Sequence, residues 1–240
     1  MVSSVQDWPT DARLSEKSPD MFADFEANLP FVELLSSKGN LNLASNFKYS
    51  NLPDLGPKIY ISYRATGDTY CTTNLHLDAS DAVNLLVFSS GSNNDTSAIW
   101  DLYYPTDLDT LRTEISSWKQ RTKKATDEIV DEADVIHSQA TYLSKADRKN
   151  LFDRHGIRSI RMHQKQGDLV YIPSGFAHQV YNTENCIKIA VDFLSPFNAW
   201  EWLSVREDIR RLPKDHPRKK DLTRGNEMVF HTLEKLKIGY

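Results

Sequence analysis

The sequence predicts a mainly β domain with helical insertions, an α+β chain built on a double-stranded jelly roll. Three observations carry that prediction. About eight short strand-like runs fall into two blocks, residues 58–104 and 157–193. Compact turn chemistry separates them, as in Gln166-Gly167-Asp168, Pro173-Ser174-Gly175 and Asn182-Thr183-Glu184-Asn185. Helical patterning is confined to the two ends and to one insertion between the blocks. Many short strands joined in this way favour a sandwich or barrel over a parallel sheet with crossover helices.

Residues 1–50 read as an N-terminal helical entry segment. Ser18-Pro19 supplies a cap and a proline at the first helical position, Met21, Phe22, Phe25 and Leu29 recur at helical spacing, and Pro30 ends the run. The barrel domain spans 51–196. Its first block holds strands at 58–63, 72–78, 82–88 and 98–104, with a Ser/Gly/Asn-rich loop at 89–96. A helical insertion follows at about 105–156. Thr106 and Asp109 suggest a cap, Leu108, Leu111, Ile115 and Trp118 lie on one helix face, and 119–134 reads as an exposed, mobile stretch. Ser144-x-x-Asp147 opens a second helix that stops at Gly156. Strands return at 157–163, 168–172, 177–181 and 186–193, and 197–240 forms C-terminal helices, with Trp200 and Trp202 as expected core anchors.

At 240 residues the chain is the size of one large domain. A net charge of −4 and a pI near 6.0 give no overall basic field, which argues against direct DNA binding by this chain alone. The basic run from Arg210 to Lys220 reads as a solvated linker rather than a phosphate-contacting patch. Two cysteines, Cys71 and Cys186, are too few for a disulfide framework and read as small buried residues. No apolar run is long enough for a membrane helix, and the first residues lack the apolar stretch of a secretory signal. The expectation is a soluble intracellular protein.

The chemistry concentrates at His76-Leu77-Asp78 and a distant histidine, His178. Side chains alternate across a strand, so His76 and Asp78 point to one face, together with Asn74 and Ser80. Two histidines and a carboxylate form the facial triad of non-haem Fe(II) oxygenases, which leaves coordination positions open for co-substrate and dioxygen. Closing a barrel would bring the strand of His178 beside that of His76. The remaining histidines, 137, 155, 163, 216 and 231, read mostly as surface residues.

The segments Thr72–Asn84 and Gly167–Asn182, with the continuation Cys186–Pro196, resemble the two metal-ligand blocks of the JmjC-domain oxygenases, whose fold is a cupin-like jelly roll. More narrowly they resemble the histone H3 lysine-9 demethylase subfamily that includes Hairless. Leu41–Ser45 and Asp54–Tyr60 fit that subfamily too, and the match runs with gaps from about Asp7 to Pro196. By comparison with the family, the chain lacks the earliest strands and helix and the upstream Cys-rich zinc-binding region, and its insertion is shorter.

The resemblance implies Fe(II), 2-oxoglutarate as co-substrate, dioxygen and methyl-lysine substrates. His76, Asp78 and His178 are then the metal ligands and the catalytic centre. A buried 2-oxoglutarate carboxylate needs a cation or hydroxyl donors. Ala98 stands where many family members have a lysine, which turns attention to Lys188, with Thr73 and Asn84 as further co-substrate contacts. A solvent-facing Lys188 and an ordinary strand threonine are the plainer readings. Tyr60 and Tyr63 are candidates for the methyl-ammonium pocket, where aromatic faces suit a cation, or else for core packing. The implied activity is demethylation of mono- and dimethyl-lysine 9 of histone H3, with chromatin as partner and the nucleus as location. A JmjC protein hydroxylase and a non-catalytic chromatin-binding module remain open alternatives.

Overall fold

The computed structural model describes residues 4–48, 53–65, 72–92, 94–122, 134–219 and 223–238. Two antiparallel sheets face each other. The larger has the order β1-β2-β9-β4-β7, formed by β1 (Ser4–Trp8), β2 (Lys58–Ser62), β9 (Cys186–Phe193), β4 (Asp81–Ser89) and β7 (Leu169–Ile172). The smaller has the order β3-β8-β5-β6, formed by β3 (Thr72–His76), β8 (Ala177–Asn182), β5 (Ala98–Tyr103) and β6 (Ile160–Gln164). Neighbours in both sheets come from distant parts of the chain, as a jelly roll requires.

Alternation along each strand sorts the residues into layers. Ala82 and Leu86 of β4, Trp100 and Leu102 of β5, Val180 of β8 and Cys186 of β9 meet between the sheets. Val83, Val191 and Phe193 turn to the opposite face of the larger sheet, where Leu29 and Leu35 cover them. These come from the entry segment, which contains α1 (Leu14–Lys17), α2 (Pro19–Ala27) and α3 (Val32–Leu35). The outer face of the smaller sheet, with Leu75, Tyr103 and Ala177, is covered by α4 (Leu108–Thr122), α5 (Lys145–His155) and α6 (Ala199–Arg211). The last helix, α7 (Gly225–Ile238), packs on the 3-10 turn Leu43–Asn46.

Several elements differ from the sequence expectation. The first described residues are not helical: Ser4–Trp8 adds β1 to the edge of the larger sheet, in register with β2 from Ser4 opposite Ser62. Four of its five residues are exposed, so it carries little of the periodic burial that marks a strand in sequence. The strand expected at 157–163 begins only at Ile160. Pro105 starts a 3-10 turn to Asp107, and α4 follows from Leu108 without the expected cap. The Ser144–Asp147 capping box is formed and Gly156 closes α5 at φ 70°, a conformation that favours glycine. Trp202 is fully buried, but Trp200 is 78% exposed and anchors nothing. Cys186 is buried; Cys71 and most of 119–134 lie outside the described residues.

Candidate metal centre

The two histidines meet through strand register. His76, the last residue of β3, sits directly opposite His178 of β8, and their rings lie 4.1 Å apart between centroids. Strand β3 stops there, so Asp78 lies in the loop beyond rather than on the strand as expected. The loop still turns its carboxylate back: Asp78 Oδ2 is 3.7 Å from His76 Nε2 and 3.6 Å from His178 Nε2. All three potential ligand atoms lie within 4.8 Å of one another.

Each ring is oriented from behind. His76 Nδ1 lies 2.7 Å from the Asn74 carbonyl and His178 Nδ1 lies 3.0 Å from the Phe176 carbonyl. A carbonyl only accepts, so Nδ1 carries the proton and Nε2 keeps a free lone pair toward Asp78. Burial, reinforced by the neighbouring His76, pushes His178 down to about 4, which keeps its ring neutral at physiological pH. Burial alone would raise Asp78, but His76, Arg218 and His178 outweigh it and hold the carboxyl well below the usual carboxylate range. A neutral His178 imidazole and an ionised Asp78 carboxylate are protonation states that a divalent metal needs. The donor set therefore fits Fe(II), and the residues that would hold it are His76, Asp78 and His178.

The centre opens into a cavity of about 540 Å³ whose lining includes Tyr60, Thr73, Asp78, Gln139, Asp192 and Arg218. Thr73 reaches it because of a β-bulge. The β3–β8 pairing slips between Thr73 and His76, so three residues on β3 span two on β8. Strict alternation would have put Thr73 and His76 on opposite faces. The same bulge turns Asn74 away, where its amide donates to the Gln139 carbonyl at 2.9 Å.

Lys188 is buried in the interior between the sheets, not on an outer face. Its Nζ donates to Asn182 Oδ1 at 2.7 Å and lies 5.3 Å over the Trp100 ring, which itself stacks on His178 at 6.1 Å. No carboxylate among the described residues pairs with it, and burial pushes its pKa down to about 8. Asn84 points into the same interior, diagonal to Lys188 across β4 and β9, and its Oδ1 is buried without a hydrogen-bond partner among the described residues. The buried Lys188 ammonium is the donor that a small carboxylate would satisfy, whereas the orphaned Asn84 Oδ1 is an acceptor and needs a donor.

Tyr60 lines the cavity directly across from Lys188 in the β2–β9 register, and its hydroxyl donates to Asp7 of β1. Tyr63 does not join it: it follows the end of β2, is 51% exposed and lies outside the cavity. Three further residues come into view only in the fold. Asp192 lines the cavity and is pushed up to about 8 by burial and by nearby Asp78 and Asp7. Its shared face with Lys188 is readable from strand alternation, though its acidity is not. Arg218 donates to Asp78 Oδ1 at 3.2 Å, and with the Gln139 amide turned over, the Gln139 oxygen accepts from the same guanidinium. The stretch read as a solvated linker thus sends one arginine into the site, and no local pattern announces it. His137 and His231 are also buried rather than surface residues.

Residues 65–193 match the sequence family described as "JmjC domain, hydroxylase". Across 98% of its length the chain is 31% identical to Lysine-specific demethylase 3A of Homo sapiens and 32% identical to Lysine-specific demethylase 3 of Drosophila melanogaster. It is 27% identical to Probable JmjC domain-containing histone demethylation protein 2C of Homo sapiens. The alignments cover 20%, 31% and 10% of those proteins, so the chain spans about a fifth of the length of the demethylase 3A relatives. The family match runs from β3 through β9 and so includes both histidines, the aspartate in the loop after β3 and the interior lysine. With two facing sheets, a His–Asp–His cluster at the mouth and this match, the chain belongs to the JmjC-domain family.

Proposed function

We propose that this chain is an Fe(II)- and 2-oxoglutarate-dependent histone lysine demethylase that acts on mono- and dimethyl-lysine 9 of histone H3, in chromatin and therefore in the nucleus. The observation that carries the reading is the convergence of His76, Asp78 and His178 on one point at the edge of a cavity, with a buried lysine in the same interior that has no carboxylate partner among the described residues. The relatives named as lysine-specific demethylases support the reaction class. No described helix is long and apolar enough to cross a membrane.

In this reading His76, Asp78 and His178 are both the metal ligands and the catalytic centre. When bound, Fe(II) with 2-oxoglutarate would activate dioxygen, the oxidant, for hydroxylation of an N-methyl group, with 2-oxoglutarate leaving as succinate and carbon dioxide and the methyl as formaldehyde. Lys188 holds the distal carboxylate of 2-oxoglutarate, assisted by Thr73 and Asn84. The stacked Trp100 keeps water from the interior between Lys188 and His178. Tyr60 and Asp192 face the incoming methyl-ammonium group, with an aromatic ring and oxygen atoms as its partners. Tyr63, on the outside, has no part in that pocket.

The experiment is mass spectrometry of methylated histone peptides with Fe(II) and 2-oxoglutarate, with formaldehyde measured in parallel. Loss of methyl groups with matching formaldehyde supports demethylation. A stable gain of one oxygen would make the protein a hydroxylase, and absence of iron-dependent 2-oxoglutarate decarboxylation would leave the non-catalytic module.

A further inference from the structure

The outer face of the smaller sheet carries a second concave site that shares no lining residue with the metal cavity. It has a volume of about 330 Å³ and lies between α5 and β6, the edge strand of that sheet. Five cationic side chains line it: Lys145, Arg148, Lys149, Arg158 and Arg161. Tyr103 and Ser159 add hydroxyl groups, and Phe152 and Ile157 complete the lining. The surrounding sequence is equally biased. Residues 145–165 contain seven lysines and arginines against two aspartates, a surplus of five positive charges in a chain whose net charge is −4.

Counting partners shows how much of that charge is uncompensated. Arg161 grips Asp101 through two bonds of 2.9 Å, and Arg148 approaches the same carboxylate at 3.5 Å. One buried carboxylate thus serves two guanidiniums, which are fixed in place yet jointly carry a surplus charge. Lys149 pairs with Asp153 in an exposed contact, the kind that contributes little. Lys145 and Arg158 have no carboxylate within 4.0 Å among the described residues. The Arg158 guanidinium lies 4.0 Å over the Phe152 ring, which stays partly exposed at the rim.

We propose that this face binds the phosphate backbone of duplex nucleic acid. Pre-set guanidiniums and the Lys145 ammonium suit phosphate oxygens, and a backbone ligand needs no apolar anchor. An acidic peptide would dock apolar side chains in pockets, whereas five of the nine residues lining this site are cationic. Arg154 is paired with the buried Glu114 and adds no free charge, but five cations distributed over α5, β6 and the segment between them suit a ligand of repeating charge better than a single small anion. The negative net charge of the chain argued against DNA binding only as an average. The structure segregates the charge, and a duplex meets the local field, since screening erases the rest within about 8–10 Å at physiological salt.

The test is fluorescence anisotropy of a labelled duplex with the full chain over a salt series. Wild type is compared with Lys145→Glu/Arg158→Glu and with Lys17→Glu/Lys38→Glu, a pair outside the segment that makes the same change in net charge. The proposal predicts that the first pair weakens binding at least about tenfold and lowers the salt slope by about 2, while the second pair has a small effect. Iron-dependent 2-oxoglutarate decarboxylation should be unchanged in both, so this result is independent of the demethylase reading. Undetectable duplex binding at low salt, or equal losses in the two pairs, would overturn it. So would polyglutamate or inorganic phosphate displacing the protein as well as duplex does at matched charge, because the face would then serve an acidic protein or a small anion.

Discussion

At the scale of single residues, the metal centre depends on three atoms and on what stands behind them. Replacing Asp78 or His178 with alanine removes one of only three protein ligands. Co(II) titration should show loss of tight binding, with 2-oxoglutarate turnover abolished; normal turnover in either variant would end the triad assignment. Lys188 makes a separate prediction with a pH signature. A 2-oxoglutarate carboxylate binds its charged form, and Lys188→Ala should weaken 2-oxoglutarate binding about ten- to a hundredfold, the loss of a charge-assisted bond of about 1.5–3 kcal/mol. Since burial lowers its pKa to about 8, wild-type affinity should decline as pH rises past that value, and the Ala variant should lack this decline. Stability runs the other way. The folded protein holds this proton less tightly than the unfolded chain does, so the cost of the buried charge is largest below about pH 8 and fades as pH rises toward the ordinary lysine value. Lys188→Met should therefore melt higher at neutral pH while losing co-substrate affinity. The close spacing of His76 and Asp78, and the face that Lys188 shares with Asp192, are local properties readable in sequence; the loop that returns Asp78 to the histidines and the inward direction of the Lys188 face are not. Nor is the direction of Tyr63, because the end of a strand decides whether the next side chain faces in or out.

At the scale of elements, the site depends on one bulge and one loop. The slip in β3 lets Thr73 and His76 share an interior, and the loop past His76 returns Asp78 to the histidines. Neither follows from a two-residue period, which predicted a straight strand through residue 78. The 3-10 turn Pro217–Lys219 adds Arg218, which takes Asp78 Oδ1 and leaves Oδ2 facing the histidines. Partners of this kind orient metal ligands, and Arg218→Ala should weaken Co(II) binding about ten- to a hundredfold with partial recovery in Arg218→Lys. Unchanged metal affinity with a lower melting temperature would make Arg218 merely structural. On the other side of the sheet, Asp101 of β5 ties down α5 and β6 through Arg148, Arg161, Ser159 and Gln179. Asp101→Ala leaves two guanidiniums without their buried partner and should cost about 3–5 kcal/mol in denaturant unfolding. The helices themselves were readable from caps and periodicity, as α5 illustrates, but β1 was not, because its exposed residues carry no burial pattern.

At the scale of the whole molecule, two sheets place a metal centre at one mouth, and the covering helices build a basic face elsewhere. The jelly roll was legible because eight runs with defined turns leave few other architectures. The basic face escapes the whole-chain average; the surplus within residues 145–165 is local in sequence, but only the fold shows which of these cations share one face. Activity at the centre and contact at the basic face are separable, and salt should distinguish them: peptide turnover is limited by the cavity, while duplex binding weakens steeply with ionic strength. The most direct test of the central claim is product analysis with a mono- or dimethyl-lysine 9 histone H3 peptide, Fe(II) and 2-oxoglutarate, with peptides methylated at other lysines in parallel. The account predicts stepwise loss of methyl groups from lysine 9, one formaldehyde for each, and none of it in Asp78→Ala. Equal turnover at every lysine, or a product that gains oxygen and keeps its methyl groups, would contradict it.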